Sequence, residues 1–326
     1  MKIVTFIIPC FNSEKNIPLV VAEIKREFVL RPECQYQLIL VNDYSADDTI
    51  GAIRELCSED QDIIGISLSR NFGQQAARMA ALHYIKGEYV VFMDDDGEHP
   101  VVEIFNMIDK LETGYDVVYA SFKDKHYSLI RKMGTALNQK MANMLIGKPS
   151  HIKTSSFFVM RRFVAEALKE YHSSFPYLLG YILKITNNIA DIEMEHRSRI
   201  SGESGYTFKK MVLLWLNGFT SFSVRPLRVS TFMGFIMALI GFLFGVFIVI
   251  NKIMNPAIQA GYTSIIAVMI FIGGMVMLML GMIGEYIGRI FITMNRIPQF
   301  VILETINAEG KIISLSDNIP QTEDLF

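Results

Sequence analysis

Three adjacent carboxylates, Asp94, Asp95 and Asp96, end an apolar run and precede Gly97-Glu98-His99-Pro100. Like charges packed this closely repel, and a divalent cation shared between them relieves the repulsion. Mg2+ is usually held in this way, by one or two protein carboxylates together with substrate phosphates and water. Alternate side chains of an extended chain share a side, so Asp94 and Asp96 point together. The spacing Asp-x-Asp therefore offers the two ligands of a metal–diphosphate site, with Asp95 as their neighbour. A solvated acidic turn is the bland alternative on the triplet alone.

The element that must position the acids is the run 89–93. It is apolar on both faces and so predicts a buried strand with the triplet at its C-terminal end. Open α/β sheets bind their ligands at that end. Further strands are predicted at 3–9, 38–41, 63–68 and 116–120, with helices to about residue 28 and over 46–56, 73–84 and 100–111. This alternation implies a mostly parallel sheet with right-handed crossovers. The strand ends carry Asn12 and Glu14, Asn42 and Asp43, Arg70 and Asn71, and the acidic triplet. On a parallel sheet these clusters lie along one edge and converge on one ligand. Neither a Gly-x-Gly-x-x-Gly nor a Walker sequence is present, so a polyphosphate bound here depends on a metal and not on a glycine-rich cradle. Beyond this region 153–160 and 192–200 are predicted strands, the latter bearing Arg197 and Arg199. Residues 202–206, with Ser204, are predicted to form a mobile loop.

Composition separates the chain into two kinds of sequence. The formal net charge of −2 gives no global basis for nucleic-acid binding. The hydrophobic share is 51% and the mean hydropathy +0.31, and the apolar excess is concentrated near the C-terminus. Residues 229–250 and 262–283 are each 22 residues without a charge, long enough to span a bilayer. Lys209, Lys210, Arg225 and Arg228 precede the first span, and Arg289 and Arg296 follow the second; the connecting loop carries only Lys252. The positive-inside rule then puts both termini in the cytosol at the inner membrane. Residues 208–222 read as an amphipathic helix lying in the interface or packed on the globular part. Cys10, Cys34 and Cys57 have no metal-binding spacing and fit a reducing compartment. Glycines at 234, 241, 245, 273, 274, 281 and 284 allow close helix packing within the chain or in a homo-oligomer. The domain map is 1–206 catalytic, 207–228 juxtamembrane, 229–284 membrane hairpin and 285–326 cytosolic segment and tail.

The motifs Ile8-Pro9-Cys10-Phe11-Asn12-Ser13-Glu14, Val41-Asn42-Asp43-Tyr44-Ser45, Ser69-Arg70-Asn71-Phe72-Gly73 and 93–100 together resemble glycosyltransferase family 2, whose fold is GT-A. The sequences Phe222-Ser223-Val224-Arg225-Pro226-Leu227-Arg228 and Gly284-Glu285-Tyr286-Ile287-Gly288-Arg289 resemble the membrane-anchored polyprenyl-phosphate glycosyltransferases within it. The resemblance implies a GT-A α/β domain with an interfacial helix and two transmembrane helices. It implies inverting transfer of one sugar from a nucleotide-sugar, UDP-glucose first with UDP-N-acetylglucosamine, UDP-galactose or GDP-mannose as alternatives, to polyprenyl phosphate at the cytosolic face. It assigns Pro9, Asn12, Glu14, Asp43, Arg70, Asn71 and Asp95 to the donor pocket, and Asp94 and Asp96 to Mg2+ or Mn2+. Arg197, Arg199 and Ser204, with Arg131 and Lys132, would bind the acceptor phosphate.

Two departures stand out. The second motif usually reads Asp-Asp-Gly-Ser, and here it is Asn42-Asp43-Tyr44-Ser45. The family's Gly-Asp-Phe-Arg, whose Asp is discussed as a base, is replaced by Thr154-Ser155-Ser156-Phe157-Phe158. A phosphate acceptor is already anionic and attacks without losing a proton, whereas a neutral hydroxyl benefits from a base. Two readings compete. A processive or saccharide-acceptor transferase is disfavoured because the lone Trp215 lacks the Gln-x-x-Arg-Trp context of processive synthases. A non-catalytic membrane scaffold is supported only by the missing carboxylate.

Overall fold

The computed structural model describes residues 2–122, 149, 152–172, 176–195, 197, 225–254, 261–294 and 298–308. The chain divides into two compact units, Met1–Met211 with Pro298–Phe326, and Val212–Ile297.

The first unit is built on one sheet of eight strands: β1 (Lys2–Cys10), β2 (Cys34–Asn42), β3 (Ile63–Leu68), β4 (Tyr89–Phe92), β5 (Val117–Phe122), β6 (Phe158–Arg161), β7 (Ile189–Met194) and β8 (Ile302–Ile306). Their order is β7-β5-β6-β4-β1-β2-β3-β8. The pairs β4–β1, β1–β2 and β2–β3 are parallel, as the alternating pattern predicts. Their C-terminal ends therefore lie along one edge, with Cys10 opposite Asn42 and Asn42 opposite Ser67. Strand β6 runs antiparallel between β4 and β5, and β8 runs antiparallel to β3. The sheet is thus mixed.

Helices α1 (Ile17–Val29), α2 (Thr49–Glu59), α3 (Gln74–Ala81) and α4 (Glu103–Glu112) connect the parallel strands. Apolar side chains recur at helical spacing on α1, and Ile17, Val20, Val21, Ile24 and Phe28 are all buried. Every second residue of β1, from Val4 through Phe6 to Ile8, joins them in one core cluster with Ile104, Ile108 and Leu111 of α4. Phe28 anchors this face, with its ring 5.7 Å from Phe6, 5.5 Å from Tyr36 and 5.3 Å from Phe105. Helix α2 starts later than expected, at Thr49, because Asp48 caps it by accepting from the Gly51 N–H at 3.2 Å.

Other expectations need correction. The stretch 153–157 is not strand. Ser155 Oγ bonds the Phe157 carbonyl at 2.9 Å and receives the Phe157 N–H at 3.3 Å, a local turn that competes with a ladder. The strand expected over 192–200 lies instead at Ile189–Met194, where Ile189 and Ala190 are buried. Helices α5 (Arg162–Lys169) and α6 (Leu178–Ile185) were not anticipated. Strand β8 falls in the stretch 285–326, read from the sequence as a cytosolic segment and tail with no strand, yet it covers β3, which would otherwise leave an unpaired edge. It is pinned at its end by Asn307, whose Nδ2 donates to the carbonyls of Cys57, Asp60 and Ile63 at 2.5, 3.3 and 3.0 Å.

The second unit contains two long helices, α7 (Arg225–Met254, 30 residues) and α8 (Tyr262–Met294, 33 residues). In α8 the window Phe271–Gly288 has mean hydropathy 1.6 and none of it is buried, so it is long and apolar enough to cross a membrane. In α7 the described apolar stretch is shorter, Gly234–Phe244. Phe235, Phe242 and Phe247 of α7 and Met277 and Phe291 of α8 are all exposed. The helix predicted over 208–222 lies outside the described residues.

Asn307 has φ +58°, a region that Asn and Asp both tolerate, so Asn307→Asp keeps the backbone while replacing the amide donor with a charged acceptor. A carboxylate facing three carbonyls leaves them without their donor. We expect the variant to lose about 1–3 kcal/mol of stability, read as a lower urea midpoint at unchanged slope.

Candidate active site

The acidic triplet sits at the C-terminal end of β4, separated from Phe92 by Met93 alone, and its three carboxylates have different partners. Asp94 is held almost entirely by protein groups. Its Oδ1 accepts from Arg78 Nη2 at 2.8 Å and Gln74 Nε2 at 2.5 Å, and its Oδ2 accepts from Ser156 Oγ at 2.6 Å. Gln74 and Arg78 lie one turn apart on α3 and so share a face. Arg78 is buried, with its side chain only 3% exposed, and Nη2 also donates to the Ser156 carbonyl at 3.2 Å. Burial alone would raise the Asp94 pKa, but the Arg78 charge and the Ser156 and Arg78 hydrogen bonds outweigh it and hold Asp94 below the usual range.

Asp95 turns toward β1. Its Oδ2 accepts from the Phe11 N–H at 3.1 Å and from the Ser13 hydroxyl. Burial, with the Asp94 charge adding to it, lifts its carboxyl to about 6 against those two bonds. Asp96 accepts the Glu98 N–H on Oδ1 at 3.1 Å, and burial together with Asp94 and Glu98 raises its pKa. His99 is a structural partner: its Nδ1 accepts the Asp94 N–H at 3.0 Å, which leaves the ring proton on Nε2, 3.4 Å from Ser156 Oγ. Burial keeps His99 below its ordinary pKa, and the ring stacks on Phe157 at 4.7 Å.

The neighbouring strand ends complete the edge. Pro9 is buried in β1 opposite Val41. Asn12 has φ +56°; its Oδ1 accepts from the Ala46 N–H at 2.8 Å and its N–H donates to Ser45 Oγ at 3.0 Å. Exposed Glu14 donates its N–H to Asp47 at 3.2 Å. Asp43 is buried and clasps the next loop, accepting the Phe72 and Gly73 N–H groups at 2.8 Å each, while its carbonyl accepts from Asn71 Nδ2 at 3.2 Å. Arg70 is exposed, with its guanidinium over the Phe72 ring at 4.6 Å. The loop leads through Gly73, at φ +90°, into α3 and so to Gln74 and Arg78. Pro9, Asn12, Asp43, Asn71 and the triplet thus belong to one connected edge.

Arg197 lies elsewhere, paired with Glu23 of α1 at 2.6 Å. Arg131, Lys132, Arg199 and Ser204 lie outside the described residues. Sequence reasoning missed Arg78, Gln74 and the role of Ser156. The signal for Arg78 was present as an arginine set among alanines in Gln-Gln-Ala-Ala-Arg-Met-Ala-Ala, a position whose neighbours are all of core character.

The donor set suits a divalent ion that arrives with its ligand. Among the described residues there is no group of three side chains that would cage a metal alone. Asp96, with Asp94 beside it, would supply the one or two carboxylates that such an ion needs when a diphosphate provides the rest.

Residues 5–169 match the family described as glycosyl transferase family 2, and residues 225–290 match the GtrB C-terminal hairpin. The chain is 31% identical over 308 residues to an uncharacterized glycosyltransferase, YkcC, of Bacillus subtilis, covering 94% of this chain and 95% of that protein. It is 31% identical over 303 residues to the bactoprenol glucosyl transferase of Shigella phage SfII, covering 93% and 97%. The crystal structure of glucosyl-3-phosphoglycerate synthase from Mycobacterium tuberculosis with Mn2+ and UDP-glucose has a similar fold. Its TM-score is 0.50 at 17% identity, over 67% of this chain and 77% of that one. With matches along nearly its whole length, the chain is a glycosyltransferase and belongs to glycosyl transferase family 2.

Proposed function

We propose that this glycosyltransferase moves a single glucose from UDP-glucose to the phosphate of a membrane-embedded polyprenyl phosphate at the cytosolic face. The observation that carries the reading is Ser156. At the place where the family motif has its carboxylate, the chain presents a hydroxyl 2.6 Å from Asp94. A hydroxyl hydrogen-bonded to a carboxylate is no base, so the acceptor has to bring its own negative charge, as a phosphate does. The apolar helices α7 and α8 support an acceptor that lies in the bilayer. The relative in Shigella phage SfII is named for glucosyl transfer to bactoprenol, and the solved neighbour binds UDP-glucose with Mn2+.

In this mechanism a phosphate oxygen of the acceptor attacks C1 of the sugar in line with the departing UDP. The new C1–O bond forms as the bond to the β-phosphate oxygen breaks, so the anomeric configuration inverts. Asp96, with Asp94, would hold Mg2+ or Mn2+, which offsets charge on the leaving diphosphate. Arg78 and Gln74 keep Asp94 charged and fixed. Asp43 sets the loop 70–73 from which Arg70 and Asn71 reach the donor, beside Pro9, Asn12, Glu14 and Asp95. Arg197, Arg199, Arg131, Lys132 and Ser204 would receive the acceptor phosphate, with Arg197 exchanging Glu23 for it. Helices α7 and α8 both cross the membrane in this reading and leave the catalytic unit and both termini in the cytosol, with residues 1–206 as the catalytic part.

The test uses the full chain with undecaprenyl phosphate, Mn2+ and radiolabelled UDP-glucose, followed by organic extraction. Label is expected in the organic phase, and EDTA is expected to abolish it. Label confined to water-soluble products would overturn the lipid acceptor. Asp96→Asn is expected to lower the rate about 100-fold or more at normal folding.

The role of Ser156 is separable. Ser156→Ala removes one hydrogen bond to a charged group and is expected to cost about tenfold in rate. Ser156→Asp, which restores the family's residue type, sets two carboxylates against each other beside the diphosphate and is expected to cost at least about 100-fold. A Ser156→Asp enzyme as active as wild type would mean that the position accepts a base.

A further inference from the structure

Tyr44 is the anomaly on the binding edge. It has φ +58°, in the left-handed region where a bulky side chain is strained, and it stands where the family motif has glycine. The fold recovers nothing visible for this cost. The side chain is 59% exposed, and among the described residues no hydrogen bond, ion pair or ring contact engages it. Its neighbours, by contrast, are tightly held. Asn42 Oδ1 accepts the Ser45 N–H at 3.1 Å, Ser45 Oγ accepts the Asn12 N–H, and Asp43 clasps the loop at 72–73. A strained residue persists only when its surroundings over-determine it, and such residues cluster at ligand-binding sites. An aromatic ring left bare and standing one residue past buried Asp43, at the end of β2, is suited to a flat apolar ligand face.

We propose that Tyr44 is a binding residue for the nucleobase of the donor, with its ring stacking on the base at the end of β2. The proposal rests on the nucleotide-sugar reading above and adds the residue that recognises the base. Stacking accepts any base, so Tyr44 supplies affinity and not the choice of nucleotide. The strain is the structural cost of placing a bulky side chain at this turn, beside the strand end where the ligand binds.

The proposal makes opposite demands on stability and binding, which a merely structural tyrosine would not. Tyr44→Gly relieves the left-handed strain and is expected to unfold at an equal or higher temperature without ligand. The same variant is expected to bind nucleoside diphosphate about tenfold more weakly, the scale of one base–aromatic stack. Tyr44→Phe keeps the ring and is expected to restore the affinity that Tyr44→Gly loses. The measurement is calorimetric titration of the full chain in detergent with UDP, GDP and TDP, each with Mn2+, alongside thermal unfolding without nucleotide. The diphosphate that binds wild type names the donor, and the variants are compared with that one. If it is GDP or TDP, the UDP assignment fails while the test of Tyr44 stands. Wild-type affinity in Tyr44→Gly would overturn the proposal, as would an equal loss in Tyr44→Phe. Failure of all three diphosphates to bind wild type would overturn both the donor reading and the proposal.

Discussion

The pair Arg78–Asp94 is the constraint on which the candidate site depends. A carboxylate at the end of a buried strand, followed by two more, is opposed by desolvation and by its neighbours. Asp94 stays ionised because a guanidinium that is itself almost wholly buried sits 2.8 Å away. Neither charge is tolerable there without the other, and removing one partner of such a buried pair typically costs about 3–5 kcal/mol. The pair also fixes geometry. Arg78 ties helix α3 to the end of β4 and, through the Ser156 carbonyl, to the turn before β6. Three segments far apart in sequence are thereby held at one point on the sheet edge.

The register of α3 is in turn set from β2. Asp43 accepts both N–H groups that precede the helix, and Gly73 takes the positive φ that lets the chain turn into it. Gln74 and Arg78 then face Asp94 because they lie one turn apart. The C-terminal strand buttresses the same loop from the other side. The Ser69 N–H donates to the Val301 carbonyl at 2.9 Å, and the Phe300 ring packs 5.9 Å from His83. A segment that follows α8 in sequence thus completes the catalytic sheet, and the edge of β3 is covered by the chain itself.

Much of this was legible in the sequence for simple reasons. The parallel strands β1, β2, β3 and β4 each carry a short apolar run with a polar end, alternating with helical stretches, and that alternation made the converging edge follow from the pattern. The burial of Arg78 was hinted at by its core-like neighbours on α3, but its partner was not legible, because Asp94 lies sixteen residues on and is brought to it only by the fold. Strand β8 was missed because five residues with Glu304 and Thr305 carry too little pattern, and its pairing with β3 is set by tertiary position. The stretch 153–157 was read as strand from residue types alone, whereas the Ser155 hydroxyl bonds its own backbone neighbourhood and turns the chain. Tyr44 shows the opposite case: its place in a motif that normally has glycine was visible, and the backbone has the glycine-like angle.

The replacement of a carboxylate by Ser156 is better understood through charge than as loss of a catalytic group. Three carboxylates already crowd this strand end, and burial and mutual repulsion push Asp95 and Asp96 upward. On the proposed reading, a diphosphate and a second phosphate must also approach within bonding reach of one carbon. Two unit charges 4 Å apart near a protein surface repel by about 4 kcal/mol, so a fourth carboxylate beside Asp94 would oppose the encounter. A serine there donates to Asp94 and adds no charge. A base is useful where the nucleophile must lose a proton, and an anionic nucleophile has none to lose. The hydroxyl at position 156 and a phosphate acceptor therefore explain each other: the substrate brings the negative charge that the site gives up.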